Sequence, residues 1–522
     1  MDNIVITGFM GTGKSVVGKE VARRLGRPYV DMDTEIEKRA GKPVARIFAE
    51  EGEQAFRLME SELCRELSGQ RGLVISTGGG TLVNPTNRAL MMESGTVICL
   101  TATPAEILRR VGSDSKRPLL KVPDPRAEIE RLLEARRQAY MAIPWQVDTT
   151  NLPVKQVIKQ VLKIAQSITL TVHYPGGTYP VHIGTGLLEH IGGVLRAAGA
   201  AEGSRVAVVS NATIAPLYIA QVEKSLRAAG LCPFACIVPD GEQYKTLATV
   251  TRLYEQFLDG ALGRADTVLA LGGGVIGDIA GFAAATFMRG VRFVQLPTTL
   301  LAMVDASVGG KTGVDLPQGK NLVGAFKQPQ TVLIDPAVLA TLPVEEFRSG
   351  MAEVIKHGIV AAPDLLAGLE RANQTIGPSH IAEALRVKIA IVEEDPFEQG
   401  RRAVLNLGHT VAHGLERLSG YTMRHGEAVS IGMVAAARIS LALGLADPAL
   451  PDYIAGLLAA WRLPVHCPPY QVDSVLEAMI HDKKKRGKNL RWVLPRAVGE
   501  VEIREDVPVE IVRSVLLEMG AT

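Results

Sequence analysis

The chain has 522 residues, enough for about three or four domains of ordinary size. Its 57 basic and 55 acidic residues leave a net charge of +2, which excludes the strong positive field of a nucleic-acid or membrane-surface protein. A hydrophobic share of 47% excludes a disordered chain, and no run approaches the ~18 apolar residues of a membrane span. The N-terminus lacks a signal-peptide pattern, and the five cysteines show no usual zinc spacing. We therefore expect a cytoplasmic protein with reduced thiols that binds neither nucleic acid nor membrane.

Short apolar runs that end at glycine clusters recur along the chain. The runs Asn3–Thr7, Leu73–Thr77 and Thr267–Leu271 are continuous, which is typical of strands buried on both faces of a parallel sheet. Helix-like segments follow such runs, for example Val16–Leu25 and Pro125–Tyr140. This order of elements predicts an α/β fold.

The pattern changes twice further along. Ile168–His173 and Tyr179–Ile183 flank a Pro-Gly-Gly turn, which predicts a hairpin. Another α/β pattern follows, and after it the strand signal fades into segments rich in Ala, Leu and Glu. The sequence therefore predicts three domains: α/β with a parallel sheet over residues 1–165, α/β over 168–340, and mostly α-helical over 341–522.

A glycine-rich loop joins the first predicted strand to the first helix. Gly8 to Ser15 reads G-x-x-x-x-G-K-S, the pattern of a phosphate-binding P-loop. Its glycines let backbone N–H groups turn toward phosphate oxygens, and the helix N-terminus adds partial positive charge. Lys14 is expected to reach the β- and γ-phosphates, and the Ser15 hydroxyl to bind Mg²⁺. The predicted ATP-binding residues of this loop are Gly11, Thr12, Gly13, Lys14, Ser15 and Val16.

Further motifs narrow the reaction of this domain. They are D-x-D at Asp31 and Asp33, F-R at Arg57, G-G-G at Gly78–Gly80, R-P-L-L from Arg117, and a helical Arg136. At these positions they resemble shikimate kinase over all of residues 1–165. The resemblance implies a P-loop kinase that uses ATP with Mg²⁺.

The same resemblance implies a role for each residue. Arg57 and Arg136 would hold the shikimate carboxylate, whose planar shape suits a guanidinium group. Arg117 would neutralise the transferring phosphoryl group, Pro153 would flank adenine, and Asp31 would lie near Mg²⁺. The implied shikimate-binding residues are Asp33, Arg57, Gly78, Gly79, Gly80 and Arg136.

A second glycine-rich turn follows the third apolar run. Gly272–Asp278 fits G-x-G-x-x-G at a helix start, which suits a pyrophosphate and suggests a Rossmann-like NAD-binding domain. The pattern alone is a weak signal. The segments 240–245 and 298–299 strengthen it, because they are further polar loops that follow predicted strands.

Histidines in the last third indicate a metal site. His409 and His413 lie four residues apart, on one face of a predicted helix. His425 and Glu353 add two further candidate ligands. Thr410 replaces the glutamate of the zincin pattern H-E-x-x-H, which argues against a metalloprotease. One glutamate with two histidines is the ligand set of an open catalytic zinc site, and the spacing alone leaves open which two histidines take part.

Basic residues within glycine-rich or apolar stretches indicate an anionic substrate. They are Arg289, Lys311, Lys320, Lys356, Lys388 and Arg402. The basic run at 483–486 is better explained as a solvated loop than as a nucleic-acid patch.

Together these motifs resemble 3-dehydroquinate synthase from about Ile168 to the C-terminus. The matching segments are Val308–Thr312, Gly319–Asn321, Ala352–Lys356, Leu407–Thr410 and His425–Glu427. The resemblance implies bound NAD⁺ and one Zn²⁺ (or Co²⁺) held by Glu353, His409 and His425. It also implies a homodimer through the synthase part, with Arg289 reaching the substrate phosphate from a neighbouring subunit.

The remaining site residues follow from the same resemblance. His413 would face the substrate phosphate, and one of Lys483 and Lys484 would contact substrate. The implied NAD contacts are Asp240, Gly241, Glu242, Gln243, Tyr244, Lys245, Gly274, Val275, Ile276, Gly277, Asp278, Thr298, Thr299, Lys311 and Lys320. The implied substrate contacts are Arg289, Asp305, Lys311, Asn321, Lys356, Lys388, Arg402, Asn406 and His413. The groups expected to act in catalysis in the two halves are Lys14, Arg117, Lys311, Lys356 and His413.

The sequence thus leads to the hypothesis of a bifunctional enzyme of aromatic biosynthesis. One half would phosphorylate the 3-hydroxyl of shikimate, and the other would convert 3-deoxy-arabino-heptulosonate 7-phosphate to 3-dehydroquinate and phosphate. A first alternative is another sugar-phosphate cyclase, such as an inosose synthase, beside a gluconate-type kinase. A second is a nucleotide-sensing binding protein with inactive sites, against which the intact candidate residues argue.

Overall fold

The computed structural model describes residues 2–111, 122–372, 374–484 and 490–522, which form two compact units. The first unit contains residues 1–167 with the segments 184–204 and 221–233. The second contains 168–183, 205–220 and 234–522. The first stretch of the first unit thus ends two residues after the predicted boundary at 165. The further division near residue 340 stays a prediction.

Five parallel strands in the order β2-β3-β1-β4-β5 form the sheet of the first unit. The central strand β1 is buried along its whole length, which explains its unbroken apolar run. The elements are β1 (Asn3–Gly8), α1 (Lys14–Leu25), β2 (Tyr29–Asp31), α2 (Met32–Ala40), α3 (Val44–Glu50), α4 (Gly52–Ser68), β3 (Val74–Ser76), α5 (Pro85–Ser94), β4 (Gly95–Thr101), α6 (Pro104–Val111), α7 (Pro125–Met141), β5 (Trp145–Asp148) and α8 (Val154–Ala165).

Capping residues set several helix ends in this unit. The Asp124 side chain accepts hydrogen bonds from two backbone N–H groups at the start of α7, and Pro125 occupies its first turn. Gly26 ends α1 in the left-handed conformation, with φ of 63°. The helix predicted at Pro125–Tyr140 begins at the same residue as α7 and ends one residue earlier.

The next elements build a second sheet of seven strands in the order β6-β7-β14-β11-β10-β8-β9. The predicted hairpin is the antiparallel pair β6–β7, and the pairs from β7 through β14, β11 and β10 to β8 are parallel. The elements are β6 (Ile168–Tyr174), β7 (Gly177–Ile183), α9 (Ile191–Ala197), β8 (Arg205–Asn211), α10 (Ala215–Ala228), β9 (Cys232–Val238), α11 (Leu247–Asp259), β10 (Thr267–Gly272), α12 (Gly274–Thr286), β11 (Arg292–Pro297), β12 (Lys311–Leu316), β13 (Gly319–Phe326) and β14 (Thr331–Ile334).

The rest of the chain is mostly helical, as predicted. The elements are α13 (Val344–Ala361), α14 (Pro363–Arg371), α15 (Pro378–Glu394), α16 (His409–Leu418), α17 (His425–Ala442), α18 (Leu450–Ala460), α19 (Val472–Lys484), β15 (Trp492–Ala497), β16 (Glu500–Arg504) and α20 (Val509–Glu518). The predicted fold class is confirmed: α/β with parallel sheets, followed by a helical region. No helix in the described part of the chain is long and apolar enough to cross a bilayer.

Two antiparallel hairpins, β12–β13 and β15–β16, were not predicted. In the first, Gly313 pairs with Gly324 and a bulge follows Val314, so the strands lack a regular alternation of apolar and polar residues. This hairpin carries three predicted site residues: Lys311, Lys320 and Asn321. Among the cysteines, Cys232 is exposed, whereas the other four are buried free thiols.

Candidate active sites

The P-loop of the first unit connects β1 to α1. Gly11 and Gly13 have φ values of 79° and 94°, a region that glycine adopts without strain. The Thr12 hydroxyl is buried and donates a 2.8 Å hydrogen bond to the carbonyl of Phe9. Lys14 Nζ donates to the same carbonyl at 3.1 Å. The loop therefore has a defined shape, with a lysine at the N-terminal end of α1 where a phosphate would bind.

Oxygen groups suited to magnesium meet beside the loop. Ser15 Oγ donates to Asp31 Oδ2 at 2.8 Å, and the Tyr29 hydroxyl donates to the same oxygen at 3.1 Å. Carboxylate and hydroxyl oxygens are hard ligands of the kind Mg²⁺ prefers. The structure thus brings together the two residues predicted at Mg²⁺, and Mg²⁺ binding itself stays a prediction.

Three glycines let the predicted shikimate-binding side chains approach the backbone closely. A Cβ atom at Gly78 would lie 2.8 Å from Asp33 Oδ1, and one at Gly80 would lie 2.5 Å from an Arg57 nitrogen. Arg136 donates a 3.1 Å hydrogen bond to the carbonyl of the middle glycine. Side chains at these positions would displace the groups around them. We call Gly78–Gly80, Asp33, Arg57 and Arg136 the glycine cradle.

Sequence reasoning missed the residue that supports this cradle. Glu60 is only 1% exposed and accepts hydrogen bonds from Arg57 at 2.7 Å and from Thr81 at 2.5 Å. It follows Arg57 by three residues on α4, a spacing at which helical side chains meet. That spacing was the available signal. The Tyr140 hydroxyl adds a 2.6 Å hydrogen bond to the Gly79 carbonyl.

Asp33 is a candidate proton acceptor in the cradle. Its side chain retains access to solvent, yet the groups packed around its carboxyl remove enough water to raise its pKa to about 6. Lys14 opposes this shift, whereas Asp31 and Glu60 add to it. A carboxyl with such a pKa is largely ionised near neutral pH and close to a hydroxyl-activating range.

Two further kinase residues were predicted, Pro153 and Arg117. Pro153 stands directly before α8. Arg117 lies outside the described residues, so its role stays a prediction. Arg110, which was not predicted, donates to the P-loop carbonyl of Gly11 at 3.2 Å and to the carbonyl of Thr149 at 2.7 Å.

In the second unit, the Gly272–Asp278 turn ends β10 and begins α12, as predicted. A Cβ atom at Gly277 would lie 2.8 Å from Gln295 Oε1, so glycine allows close packing of helix and sheet. Thr298 directly follows β11. Its hydroxyl is buried and has no hydrogen-bond partner among the described residues. A helix start with closely packed glycines and a buried unpaired hydroxyl fit a bound dinucleotide.

Lys245 connects the predicted NAD-binding segments. It is buried, and its Nζ lies 2.6 Å from Asp278 Oδ2 and 2.6 Å from Asn321 Oδ1. On the same hairpin, Lys320 Nζ lies 3.5 Å from Glu242 Oε1. The loop 240–245, helix α12 and strand β13 therefore meet. Asn321 was predicted to contact the substrate, and the structure places it beside Lys245, which was predicted to contact NAD.

Three predicted metal ligands converge from three helices. Glu353 lies on α13, while His409 and His425 are the first residues of α16 and α17. Their ligand atoms all lie within 4.8 Å of one another, with Glu353 Oε1 at 3.8 Å from His409 Nε2 and 3.5 Å from His425 Nε2. Neither oxygen of the fully buried Glu353 has a hydrogen-bond partner in the described part of the chain, apart from its ion pair with Lys356. This donor set fits a zinc ion with an open position.

An oxygen acceptor orients each imidazole. His409 Nδ1 lies 3.2 Å from the carbonyl of Leu407, and His425 Nδ1 lies 3.3 Å from Glu416 Oε1. Nε2 of each ring is then directed to the ligand cluster, the arrangement that histidine ligands usually have. Burial holds the pKa of His409 well below its usual value. Burial alone would also lower that of His425, but Glu353 and Glu416 raise its pKa to about 10.

The candidate histidines differ in their position relative to the cluster of ligand atoms. His413 lies one turn after His409, with their ring centroids 5.6 Å apart, and it does not belong to the described cluster of ligand atoms. Its implied place at the substrate phosphate stays a prediction. The carboxylate of Asp305 also lies within 4.8 Å of Glu353.

Buried cations surround Asp305 and Glu353. Lys388 Nζ lies 2.6 Å from Asp305 Oδ1, and together with Lys356 it holds the pKa of Asp305 below its usual value despite burial. Arg402 is 3% exposed and donates to the carbonyls of Pro396 at 2.7 Å and Gly309 at 3.4 Å. These cations, buried together, suit a substrate with a phosphate and a carboxylate.

Other predicted contacts lie outside these groups. Lys311 pairs with Glu398, a residue that was not predicted. Asn406 is exposed at the end of the turn before α16, and Arg289 is exposed with φ of 66°. The choice between Lys483 and Lys484 concerns side chains outside the described residues.

The folds and sites define a P-loop kinase joined to an enzyme with a dinucleotide-type fold and a cluster of three side chains that could hold a metal ion. The family model for shikimate kinase matches residues 10–166, and the models for the N-terminal and C-terminal parts of 3-dehydroquinate synthase match 235–349 and 350–485. The chain belongs to the 3-dehydroquinate synthase family and carries a shikimate kinase domain at its N-terminal end. It is an enzyme of the shikimate pathway with shikimate kinase activity and 3-dehydroquinate synthase activity.

One curated relative and two solved structures show what the synthase part is similar to. A 3-dehydroquinate synthase from Synechocystis is 46% identical over 359 residues, which are 67% of this chain and 99% of that protein. The structure of 2-epi-5-epi-valiolone synthase from Streptomyces hygroscopicus, with NAD⁺ and Zn²⁺ bound, matches with a TM-score of 0.60 and 28% identity over 66% of this chain and 96% of that one. A 2-deoxy-scyllo-inosose synthase complexed with carbaglucose-6-phosphate, NAD⁺ and Co²⁺ matches with a TM-score of 0.62 and 25% identity over 67% of this chain and 100% of that one.

Proposed function

We propose that the first unit transfers the γ-phosphoryl group of ATP to the 3-hydroxyl of shikimate. The observation that carries this proposal is the glycine cradle beside the P-loop. Arg57 and Arg136 offer planar donors for the substrate carboxylate, and Gly78–Gly80 would let the backbone approach a polar ring. Asp33 then lies where a ring hydroxyl would bind and is suited to accept its proton.

The P-loop supplies the other half of this reaction. Lys14 and the N-terminus of α1 would stabilise charge on the β- and γ-phosphates, which is the main protein contribution to phosphoryl transfer. Ser15 and Asp31 would hold Mg²⁺, which screens the phosphate charges. Arg117 would neutralise charge on the transferring phosphoryl group, as the resemblance implies.

The pKa of Asp33 predicts the acid limb of the kinase pH profile. The reaction needs the ionised carboxylate, so kcat/KM for shikimate is expected to be constant above about pH 7. It should fall about tenfold per pH unit below about pH 6, where Asp33 becomes protonated. The measurement is kcat/KM from pH 5 to 8.5 at saturating MgATP. Asp33→Asn should lower activity strongly and remove this limb, and a limb that persists in the variant would assign it to another group.

For the second unit, we infer conversion of 3-deoxy-arabino-heptulosonate 7-phosphate to 3-dehydroquinate and phosphate. The observation that carries this inference is the convergence of Glu353, His409 and His425 beside the buried cations. NAD⁺ would accept and return a hydride, and Zn²⁺ (or Co²⁺) would polarise the reacting oxygens as a Lewis acid. Two similar solved structures contain NAD⁺ with Zn²⁺ or Co²⁺, which supports both groups.

The side chains of this unit would bind and orient the substrate. Lys388 and Arg402 provide buried positive charge for its anionic groups, and Asp305 provides an acceptor for ring hydroxyls. Lys356 contacts Glu353, so it can hold an anion next to the metal ligands. His413, one helical turn from His409, would face the phosphate. Burial of these groups strengthens their interactions with the substrate and keeps water away from the reacting atoms.

Assays of purified full-length protein test both halves. We expect ATP-dependent phosphorylation of shikimate, and release of phosphate with 3-dehydroquinate as the carbon product from the heptulosonate phosphate. Gluconate and glucose 6-phosphate are the matched control substrates, because they represent the gluconate-type kinase and inosose synthase alternatives. Faster turnover of either control would reject the corresponding half of the proposal. The 46% identity to a 3-dehydroquinate synthase, against 25% to the inosose synthase, favours the proposed reaction.

Two further parts of the proposal concern the cell and the assembly. We place the enzyme in the cytoplasm as a homodimer through the synthase part, as the resemblance implies. Arg289, exposed and held in a left-handed conformation, is the residue expected to reach a partner's substrate. Sedimentation of the purified protein tests the dimer directly.

A further inference from the structure

Helix α9 belongs to the synthase part of the sequence but packs in the first unit. The shikimate kinase family model ends at residue 166, and α9 (Ile191–Ala197) lies beyond it. The first unit nevertheless includes residues 184–204, so α9 shares one compact body with the P-loop and the glycine cradle. A kinase that ended at residue 166 would lack this helix.

Helix α9 contacts the turn that joins α7 to β5. A Cβ atom at Gly193 would lie only 2.4 Å from the carbonyl oxygen of Pro144 and 3.4 Å from Gln146 Cγ. Close to these residues in sequence, the rings of His190 and Trp145 have centroids 6.1 Å apart and are nearly perpendicular. Trp145 is buried. At Gly193 the backbone of α9 therefore lies directly against the backbone of the turn.

The residues after this turn also hold the end of α7. The Gln146 side-chain amide donates hydrogen bonds to the carbonyls of Tyr140 at 2.6 Å and Ile143 at 3.0 Å. Carbonyls at a helix end lack partners within the helix, so such donors fix its last turn. Arg136 and the Tyr140 hydroxyl, both on this part of α7, donate to the carbonyl of Gly79 at 3.1 Å and 2.6 Å. A continuous series of contacts thus connects α9, through Gln146 and Tyr140, to the glycine cradle.

An ion pair forms a second connection to α7. Arg137, the residue after Arg136, pairs with Glu202, which follows α9 by five residues. Both side chains are more than 40% exposed, and an exposed ion pair contributes little to stability. The backbone contact at Gly193 is therefore the stronger of the two connections.

We propose that α9 is a positioning element for the kinase site. Through Gly193 it fixes the turn after α7 and so holds Arg136 and Tyr140 at the glycine cradle. The inference rests on the proposed function of the cradle, in which Arg136 binds the shikimate carboxylate. None of these contacts involves Lys14 or Ser15, so MgATP binding does not depend on α9. The affinity of the kinase for shikimate thus depends on a helix that the synthase part supplies.

Steady-state kinetics of the full-length protein test the proposal. Gly193→Ala places a Cβ atom against the Pro144 carbonyl, so the turn or α9 must shift. A displacement of about 1 Å in a binding group can lower kcat/KM about 100-fold. We therefore expect the KM for shikimate to rise about 10–100-fold, with kcat and the KM for MgATP within about twofold of wild type. Gln146→Leu keeps the volume of the side chain but removes both hydrogen bonds, and it should act in the same direction.

Two comparisons separate positioning from loss of folded protein. Gly69→Ala is the matched control, because a Cβ atom there would meet only the Glu66 carbonyl at 3.4 Å, and it should leave all parameters within about twofold. A merely structural role of Gly193 would reduce the amount of folded enzyme and so the apparent kcat, without changing KM. Thermal melting and synthase activity are measured on each variant.

Each outcome decides the proposal. An unchanged KM for shikimate in Gly193→Ala would overturn it, and so would an equal rise in the KM for MgATP, which would indicate general distortion of the first unit. If Gly193→Ala does not fold, an unchanged KM for shikimate in Gln146→Leu would overturn the proposal. The double variant should raise KM no further than the stronger single variant, since both act on the end of α7, and multiplied effects would count against this route. Failure of the proposed function is distinguishable, because wild type would then not phosphorylate shikimate or Arg136→Lys would leave its KM unchanged.

Discussion

Lys14→Met is expected to abolish shikimate phosphorylation and to leave 3-dehydroquinate synthesis unchanged. Lys14 stands at the first position of α1, where it would meet the phosphates of ATP, and methionine keeps the length of the side chain without its charge. Loss of one preorganised charge at a developing anion typically lowers kcat at least ~100-fold. The measurement is kcat for both reactions on the same protein preparation.

A matched control separates charge from position. Lys19 lies further along α1 and is exposed, so Lys19→Met should leave both activities within about twofold. Loss of both activities in Lys14→Met would show that the two halves are not independent catalytic sites. Retained phosphorylation would remove Lys14 from the reaction and with it the proposed role of the P-loop.

The kinase site shows which contacts a sequence reveals. The P-loop is local: strand end, glycines, lysine and helix start are contiguous, and their pattern predicted both the conformation and the phosphate chemistry. The contacts within the glycine cradle are visible only in the structure, because Asp33, Arg57 and Arg136 come from three different helices. Glu60 was missed since a glutamate on an amphipathic helix is normally exposed, and only the structure shows this one buried against Arg57.

The synthase site shows a different limit. The i, i+4 spacing of His409 and His413 suggested a shared helix face, but it did not determine the metal ligands. Packing of α13, α16 and α17 brings Glu353 and His425 to His409 and leaves His413 outside the cluster. The orienting acceptor Glu416 gave no sequence signal, because its role depends on the distance between two helices. The hairpin β12–β13, which contains Lys311 and Asn321, was not predicted because its strands lack a regular alternation of apolar and polar residues.

Removal of any one zinc ligand is expected to abolish the synthase and to spare the kinase. Glu353→Gln, His409→Ala and His425→Ala should each lose stoichiometric zinc and lower synthase kcat at least ~1000-fold, because an open site with only three protein ligands tolerates no further loss. Treatment of wild type with a chelator should have the same effect, and added Zn²⁺ should restore it. NAD⁺ binding should survive in all cases, since the Gly272–Asp278 turn contains none of these ligands.

His413→Ala is the comparison that tests the ligand assignment. We expect it to retain zinc and lose turnover, because His413 lies one turn from His409 but outside the cluster of ligand atoms. Metal content by atomic absorption and synthase activity are measured on each variant, with kinase activity as the internal control for folding of the first unit. If His413→Ala lost zinc while His409→Ala kept it, the two histidines would exchange roles. The Glu353 carboxylate would then have to lie nearer to His413 than to His409, whose Nε2 is 3.8 Å from Glu353 Oε1.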